Sequence, residues 1–158
     1  MAGKTVRVFL DSNIILSGLL SDTGAPGIIL DILSLNLPFL AGLTGRYNII
    51  EIERNIKKKL PRAFPVYEEY FSKINLSIVP LPSADEIRKY AGHVIAKDVP
   101  VLVSAVKGKA DFLLTGDKKH FQKLKSAGTY PFTVASRSEF LDAILPAIVA
   151  GWSMDIKR

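Results

Sequence analysis

The sequence contains no cysteine and only two histidines, His93 and His120. Disulfides, thiolate metal sites and cysteine nucleophiles are thereby excluded, as is a zinc site built on three histidines. No apolar run approaches the roughly 20 residues that span a bilayer. The Gly-x-x-x-x-Gly-Lys phosphate loop is missing, which removes P-loop nucleotide hydrolysis, and no serine nucleophile elbow occurs, which argues against an α/β-hydrolase. The apolar stretch behind Lys4 and Arg7 is broken by Asp11 and Asn13 and is followed by no small-residue cleavage site. A signal peptide is therefore not expected, and the chain reads as a soluble, cytoplasmic protein.

What is present is a chain of 158 residues, 48% hydrophobic and 23% charged, a balance suited to one domain around a sizeable core. No repeat or low-complexity segment occurs, and the Pro-containing stretch Leu60 to Pro65 is too short for a linker, so a single domain over residues 1–158 is expected. The net charge is +6 and the pI about 9.6. That excess fits a polyanionic partner such as nucleic acid, and equally a lysine-rich surface.

Apolar periodicity divides the chain into alternating strands and helices. Strands are expected at Val6 to Leu10, Phe39 to Thr44, Leu76 to Leu81, Asp111 to Thr115 and Phe132 to Ala135. Helices are expected from Ser12 through Leu20, and over Ala25 to Leu35, Tyr47 to Leu60, Val66 to Ile74, Ala84 to Ile95, Val99 to Lys107, Lys118 to Lys125 and Ser138 to Val149. Such alternation predicts an α/β fold with a mainly parallel sheet. Ligands of these sheets sit outside the carboxyl ends of the strands, so acids that follow strands are the first candidates.

Asp11 directly follows the first strand, and Asp117 follows Phe112 to Leu114 through Thr115 and Gly116. Asp98 opens a helix and Glu51 lies within one. Taken singly, each has a structural explanation: Asp is a favoured helix N-cap, and Glu51 could be one more solvated charge. Taken together, converging carboxylates repel one another unless a cation compensates, and hard oxygen ligands suit Mg²⁺ or Mn²⁺. Such an ion activates water and stabilises charge on a transferring phosphoryl group.

These residues lie in runs that resemble the PIN-domain family. Val8 to Ser17 (VFLDSNIILS) resembles its first motif, Thr44 to Leu60 the second, Lys97 to Ala105 (KDVPVLVSA) the third, and Ala110 to Phe121 (ADFLLTGDKKHF) the fourth. Ser138-Glu139-Phe140-Leu141 is similar to a late segment of small prokaryotic members, so the resemblance spans about Val6 to Leu145. It implies a three-layer α/β/α sandwich, a divalent ion, Mg²⁺ or Mn²⁺, and ribonuclease activity, many members being VapC-type toxins paired with an antitoxin. Carried over by position, Asp11, Glu51, Asp98 and Asp117 are the catalytic acids. Asp11, Asp98 and Asp117 are the metal ligands, with Asn13 and Thr115 in support. Helical periodicity favours Glu51 over Glu53 for the second motif, since Glu53 shares a side with Ile49, Ile56 and Leu60.

Lys57, Lys58, Lys59 and Arg62 follow Glu51, and Lys118 and Lys119 adjoin Asp117. Such runs are usually solvated, but here Lys57, Lys58, Arg62, Lys118 and Lys119 are candidates for RNA backbone contact. His120 is read as solvated, Asp111 as a strand-edge residue, and Tyr130 and Trp152 as packing residues. Leu35, Leu37, Phe39 and Trp152 are candidates for a homodimer surface. Two other functions fit the same residues: a metal-dependent phosphohydrolase using Asp11 as nucleophile, although Asn13 stands where that pattern wants Asp, and a non-catalytic RNA-binding module.

Overall fold

The computed structural model describes residues 5–20, 25–121 and 130–156. Its strands are β1 (Val6–Leu10), β2 (Leu40–Gly45), β3 (Ser77–Val79), β4 (Phe112–Leu114) and β5 (Thr133–Ala135). Its α-helices are α1 (Ser12–Leu20), α2 (Ala25–Ser34), α3 (Arg46–Lys59), α4 (Phe64–Ile74), α5 (Ala84–Tyr90), α6 (Val99–Lys107) and α7 (Arg137–Ile156). Short 3-10 turns occupy Pro61–Ala63, Ala96–Asp98 and Lys118–Phe121.

The strands form one sheet in the order β3-β2-β1-β4-β5, and every pairing is parallel. β1 is central and its side chains alternate between two cores, as a period of two requires. Val8 and Leu10 enter one core with Ile14 and Ile15 of α1, Ile29 and Leu30 of α2, Ile52 and Ile56 of α3, Tyr67 of α4 and Phe140 of α7. Phe9 enters the other with Leu43, Leu113 and Val134 of neighbouring strands and Val99, Leu102 and Val103 of α6. Each such fully buried Val, Leu, Ile or Phe contributes roughly 1.5–3 kcal/mol. Both sheet faces are therefore covered, giving the expected α/β/α sandwich.

Chain order makes β1 the switch point of the sheet. From β1 the chain steps outward to β2 and β3, then crosses back to β4 and β5 on the other side. Connections leaving β1 and β4 part at their carboxyl ends, and a crevice opens between them. β1 and β4 are directly paired, with Val8 opposite Phe112 and Leu10 opposite Leu114. Asp11 and Asp117 thus leave adjacent strands at the same edge.

Several boundaries differ from the sequence expectation. The helix expected to reach Ile95 stops at Tyr90, because Ala91 turns extended (ψ 136°) and Gly92 takes a positive φ of 86°. The last helix begins at Arg137, where Ser136 and Glu139 exchange side-chain and backbone hydrogen bonds as a capping box, and it continues to Ile156. The expected helix from Lys118 begins as a 3-10 turn to Phe121; its remainder lies outside the described residues. Of the proposed dimer residues, Leu35 is exposed, whereas Leu37 and Phe39 are half-buried against the first core. The side chain of Trp152 lies outside the described residues. Among the described residues, no helix is long and apolar enough to cross a membrane.

Candidate active site

An open cleft of about 190 Å³ lies at the carboxyl ends of β1 and β4, lined by Asp11, Ser12, Asn13, Glu51, Asn55, Lys97, Asp98 and Asp117 among others. All four acids singled out in the sequence line it. They come from the β1 end, α3, the α6 entry and the loop after β4.

Asp11 is buried and anchored on both oxygens. Its Oδ1 accepts from the Ser12 backbone N–H at 2.8 Å and from Asn48 Nδ2 at 3.3 Å, and its Oδ2 accepts from Thr115 Oγ1 at 2.9 Å. Burial pushes its pKa up to about 6 against the pull of these hydrogen bonds, and the charges of Glu51 and Asp98 push the same way. Thr115 Oγ1 also accepts from the Asp117 N–H at 3.1 Å, so one hydroxyl links the two strand-end acids. Asn13 completes the link: its Oδ1 accepts from the Gly116 N–H at 3.0 Å, and its Nδ2 donates to Asp117 Oδ2 at 3.1 Å. The D-x-N spacing of Asp11 and Asn13 thus reaches across to the loop after β4.

Asp98 occupies the N-cap position of α6, yet its side chain makes no capping hydrogen bond. The structural explanation available for this residue in the sequence therefore does not hold. Its Oδ2 is buried and accepts no hydrogen bond, with His120 Nδ1 3.2 Å away as an ion-pair partner when protonated. Burial raises the Asp98 pKa. His120 and Lys97 oppose the rise, and Asp117 and Glu51 add to it. His120 is therefore not the solvated residue expected from the sequence.

α3 settles the orientation of the two glutamates. Glu51 lines the cavity, while Glu53 accepts from Tyr67 Oη at 3.2 Å on the side facing α4. Asp111 lies at the opposite end of β4, where its Oδ2 accepts from the Arg7 N–H at 2.8 Å, in keeping with its reading as a strand-edge residue. Lys57, Lys58, Lys59, Arg62 and Lys119 are exposed and none lines the cavity; Lys57 Nζ instead sits 4.6 Å from the Phe64 ring centroid. The side chain of Lys118 lies outside the described residues. Sequence reasoning missed Asn48, Asn55 and Lys97. Lys97 adjoins Asp98, and Asn48 and Asn55 share a helical stripe with Glu51, which is the signal that could have found them.

The donor chemistry suits a hard divalent ion: four carboxylates face one cavity, and one buried carboxylate oxygen lacks a hydrogen bond. Among the described residues, no three acidic or histidine side chains converge on a single point closely enough to hold a metal. One or two carboxylates with retained water is the usual mode of Mg²⁺, and the arrangement is compatible with that mode.

Several solved structures share this architecture, two of them from VapBC complexes. A chain of VapBC2 from Rickettsia felis, crystallised bound to a DNA fragment from their promoter, matches with a TM-score of 0.58 at 16% identity, covering 83% of this chain and 98% of that one. A chain of VapBC-1 from nontypeable Haemophilus influenzae matches with a TM-score of 0.56 at 16% identity, covering 84% and 99%. No protein-family model and no curated protein matches the sequence. The likeness is therefore one of fold, a parallel α/β/α sandwich of the architecture expected from the sequence.

Proposed function

We propose that the chain is a single-domain, cytoplasmic endoribonuclease that hydrolyses RNA phosphodiester bonds with a divalent ion, as the toxin of a toxin–antitoxin pair. The observation that carries this reading is the set of four carboxylates, from four separate segments, lining one cavity at the switch point of a parallel sheet. The toxin assignment rests on fold similarity to chains of VapBC complexes. An antitoxin would cover the apolar groove between α1, α3 and α4, which is lined by Leu16, Leu19, Leu20, Ile56, Val66 and Tyr67 and shares Leu16 with the cavity. Pairing of two copies through exposed apolar residues such as Leu35 belongs to the same proposal.

Asp11, Asp98 and Asp117 would together bind Mg²⁺ or Mn²⁺, one or two of them directly and the rest through the ion's retained water, and the ion would supply an activated water and positive charge for the transferring phosphoryl group. Thr115 and Asn13 keep Asp11 and Asp117 aimed into the cavity. Glu51 lines the same cavity from α3 and would serve as the base for that water. Asn13 stands where the phosphohydrolase pattern wants an acid, and its side chain is occupied by Gly116 and Asp117, which weighs against the phosphohydrolase reading. Incubation with end-labelled single-stranded RNA tests the whole. Cleavage in Mg²⁺ or Mn²⁺, abolished by EDTA and restored by excess ion, is the expected result. Intact RNA alongside hydrolysis of a small phosphate ester, or RNA binding without cleavage, would replace this reading with one of the alternatives.

The basic residues divide by geometry. Seven residues separate Glu51 from Lys58, which brings Lys58 within about 20° of Glu51 around α3 and about 10 Å along it. Lys57 falls about 120° away and packs on Phe64. Among the described cavity-lining residues, Lys97 is the single cation. Lys58→Ala and Lys97→Ala are each expected to weaken RNA binding for any base sequence and to lower the salt slope by about 0.7, whereas Lys57→Ala leaves the slope unchanged. Fluorescence anisotropy across a salt series checks this. A lowered slope only in the Lys57 variant would reverse the assignment.

A further inference from the structure

We propose that Asn48 is a positioning residue for metal binding, a role that rests on the metal-dependent reading above. Asn48 lies in the first turn of α3 and is fully buried. A buried asparagine side chain is unfavourable unless its polar atoms are used. Its Nδ2 donates to Asp11 Oδ1 at 3.3 Å and to Ser12 Oγ at 2.9 Å, and Ser12 Oγ lies 3.5 Å from the Asn48 carbonyl oxygen. One amide thus fastens the start of α3 to the end of β1. Glu51 follows three residues later, nearly one helical turn on, so the same fastening fixes Glu51 relative to Asp11.

The surroundings favour this use of the residue over simple packing. Gly45 at the end of β2 leaves room for the amide: a Cβ there would lie 2.8 Å from Asn48 Oδ1. Oδ1 itself is buried without a hydrogen bond. An apolar side chain would satisfy the space without leaving that oxygen unpartnered, so what Asn48 adds is its Nδ2 donor. That donor is neutral, which holds Asp11 in place without cancelling the negative charge a cation requires. A lysine in its place would compete with the ion, and an aspartate would repel Asp11.

Mn²⁺ titration of the full chain, followed by the electron paramagnetic resonance signal of the free aquo-ion, reads this role directly. Asn48→Leu keeps the volume and removes the donor. It is expected to weaken Mn²⁺ binding by about 10- to 100-fold, the usual effect of losing a hydrogen bond to a ligand. Tyr67→Phe serves as the control, because it removes the hydrogen bond to Glu53 and loosens α3 from its other side. Its Mn²⁺ affinity should equal the parent's although its melting temperature falls. If Asn48→Leu does not fold, Ser12→Ala removes the second acceptor of the same amide and should give a smaller loss in affinity. Parent-like affinity in Asn48→Leu, or in Ser12→Ala where it is the variant that folds, overturns the proposal, as does an equal loss in Tyr67→Phe. Absence of Mn²⁺ binding by the parent chain would instead remove the metal reading itself.

Discussion

Asp11→Asn and Asp98→Asn are each expected to lower RNA cleavage by at least about 100-fold, because an ion ligand worth several kcal/mol in the transition state is lost and each 1.36 kcal/mol is tenfold in rate. The Asp11 variant should also be the more stable protein. Burial lifts the Asp11 pKa to about 6, whereas an unfolded chain releases that proton near pH 4. Between those values the folded state keeps a proton that the unfolded state has lost, so the contribution of Asp11 to metal-free stability falls as pH rises from about 4 to about 6. Above pH 6 the deficit is complete and amounts to roughly 2–3 kcal/mol. Asparagine removes the charge and keeps the contacts. Its oxygen accepts from Ser12 and Asn48, and its amide donates to Thr115 Oγ1 once that hydroxyl rotates. The metal-free Asp11→Asn variant should therefore melt about 5 °C or more above the parent at pH 7.5, and the two should converge at pH 4. Thermal melts across that range, run beside a cleavage assay with excess Mg²⁺, test both halves. Near-parental cleavage by both variants would reject the mechanism, and a melting-temperature gap between Asp11→Asn and the parent that does not widen from pH 4 to 7.5 would reject the account of Asp11.

What the sequence made legible follows from which interactions are local. β1 declares itself because Val8, Phe9 and Leu10 form a short apolar run closed at once by Asp11, Ser12 and Asn13, the length and ending of a strand covered on both faces rather than of a buried helix such as α6. Asp11 and Asp117 are legible because each directly follows such a strand, and parallel topology brings strand ends to one edge. His120 was not, because its partner Asp98 lies far away in sequence and no local pattern records the pairing. Asn48 was hidden for a related reason: an asparagine in the first turn of a helix commonly faces water, and only the position of α3 against β1 buries it. The end of α5 depended on the conformation of Ala91 and Gly92, which helix propensity at Ile95 does not report. The lysines after Glu51 looked equivalent as a run, and only helical phase and the Phe64 ring separate Lys57 from Lys58.

Glu51 and Glu53 offer the sharpest separation of site from scaffold, since two residues apart on a helix point about 200° apart and cannot share one cavity. Glu51→Gln is expected to lose at least about 100-fold in cleavage, the range for removing a group that handles a proton in the transition state. Its effect on stability should be small or favourable, because the charge of Glu51 is one of those that disfavour ionised Asp11. Glu53→Ala should do the opposite. Its carboxylate accepts the hydroxyl of Tyr67, a buried residue whose ionisation is disfavoured first by burial and then by the Glu53 charge. Removing the acceptor loses this part-buried hydrogen bond and costs about 0.5–1.5 kcal/mol, a fall of a few degrees in melting temperature for a chain of this length. Cleavage per folded molecule should remain close to the parent's. Melting curves and kcat/KM for both variants, measured below the lower melting temperature, decide the matter. Loss of activity in the Glu53 variant with retention in the Glu51 variant would move the second acid of the site to the other side of α3. That outcome would leave the cavity with three carboxylates and the attacking water without the base assigned to it here.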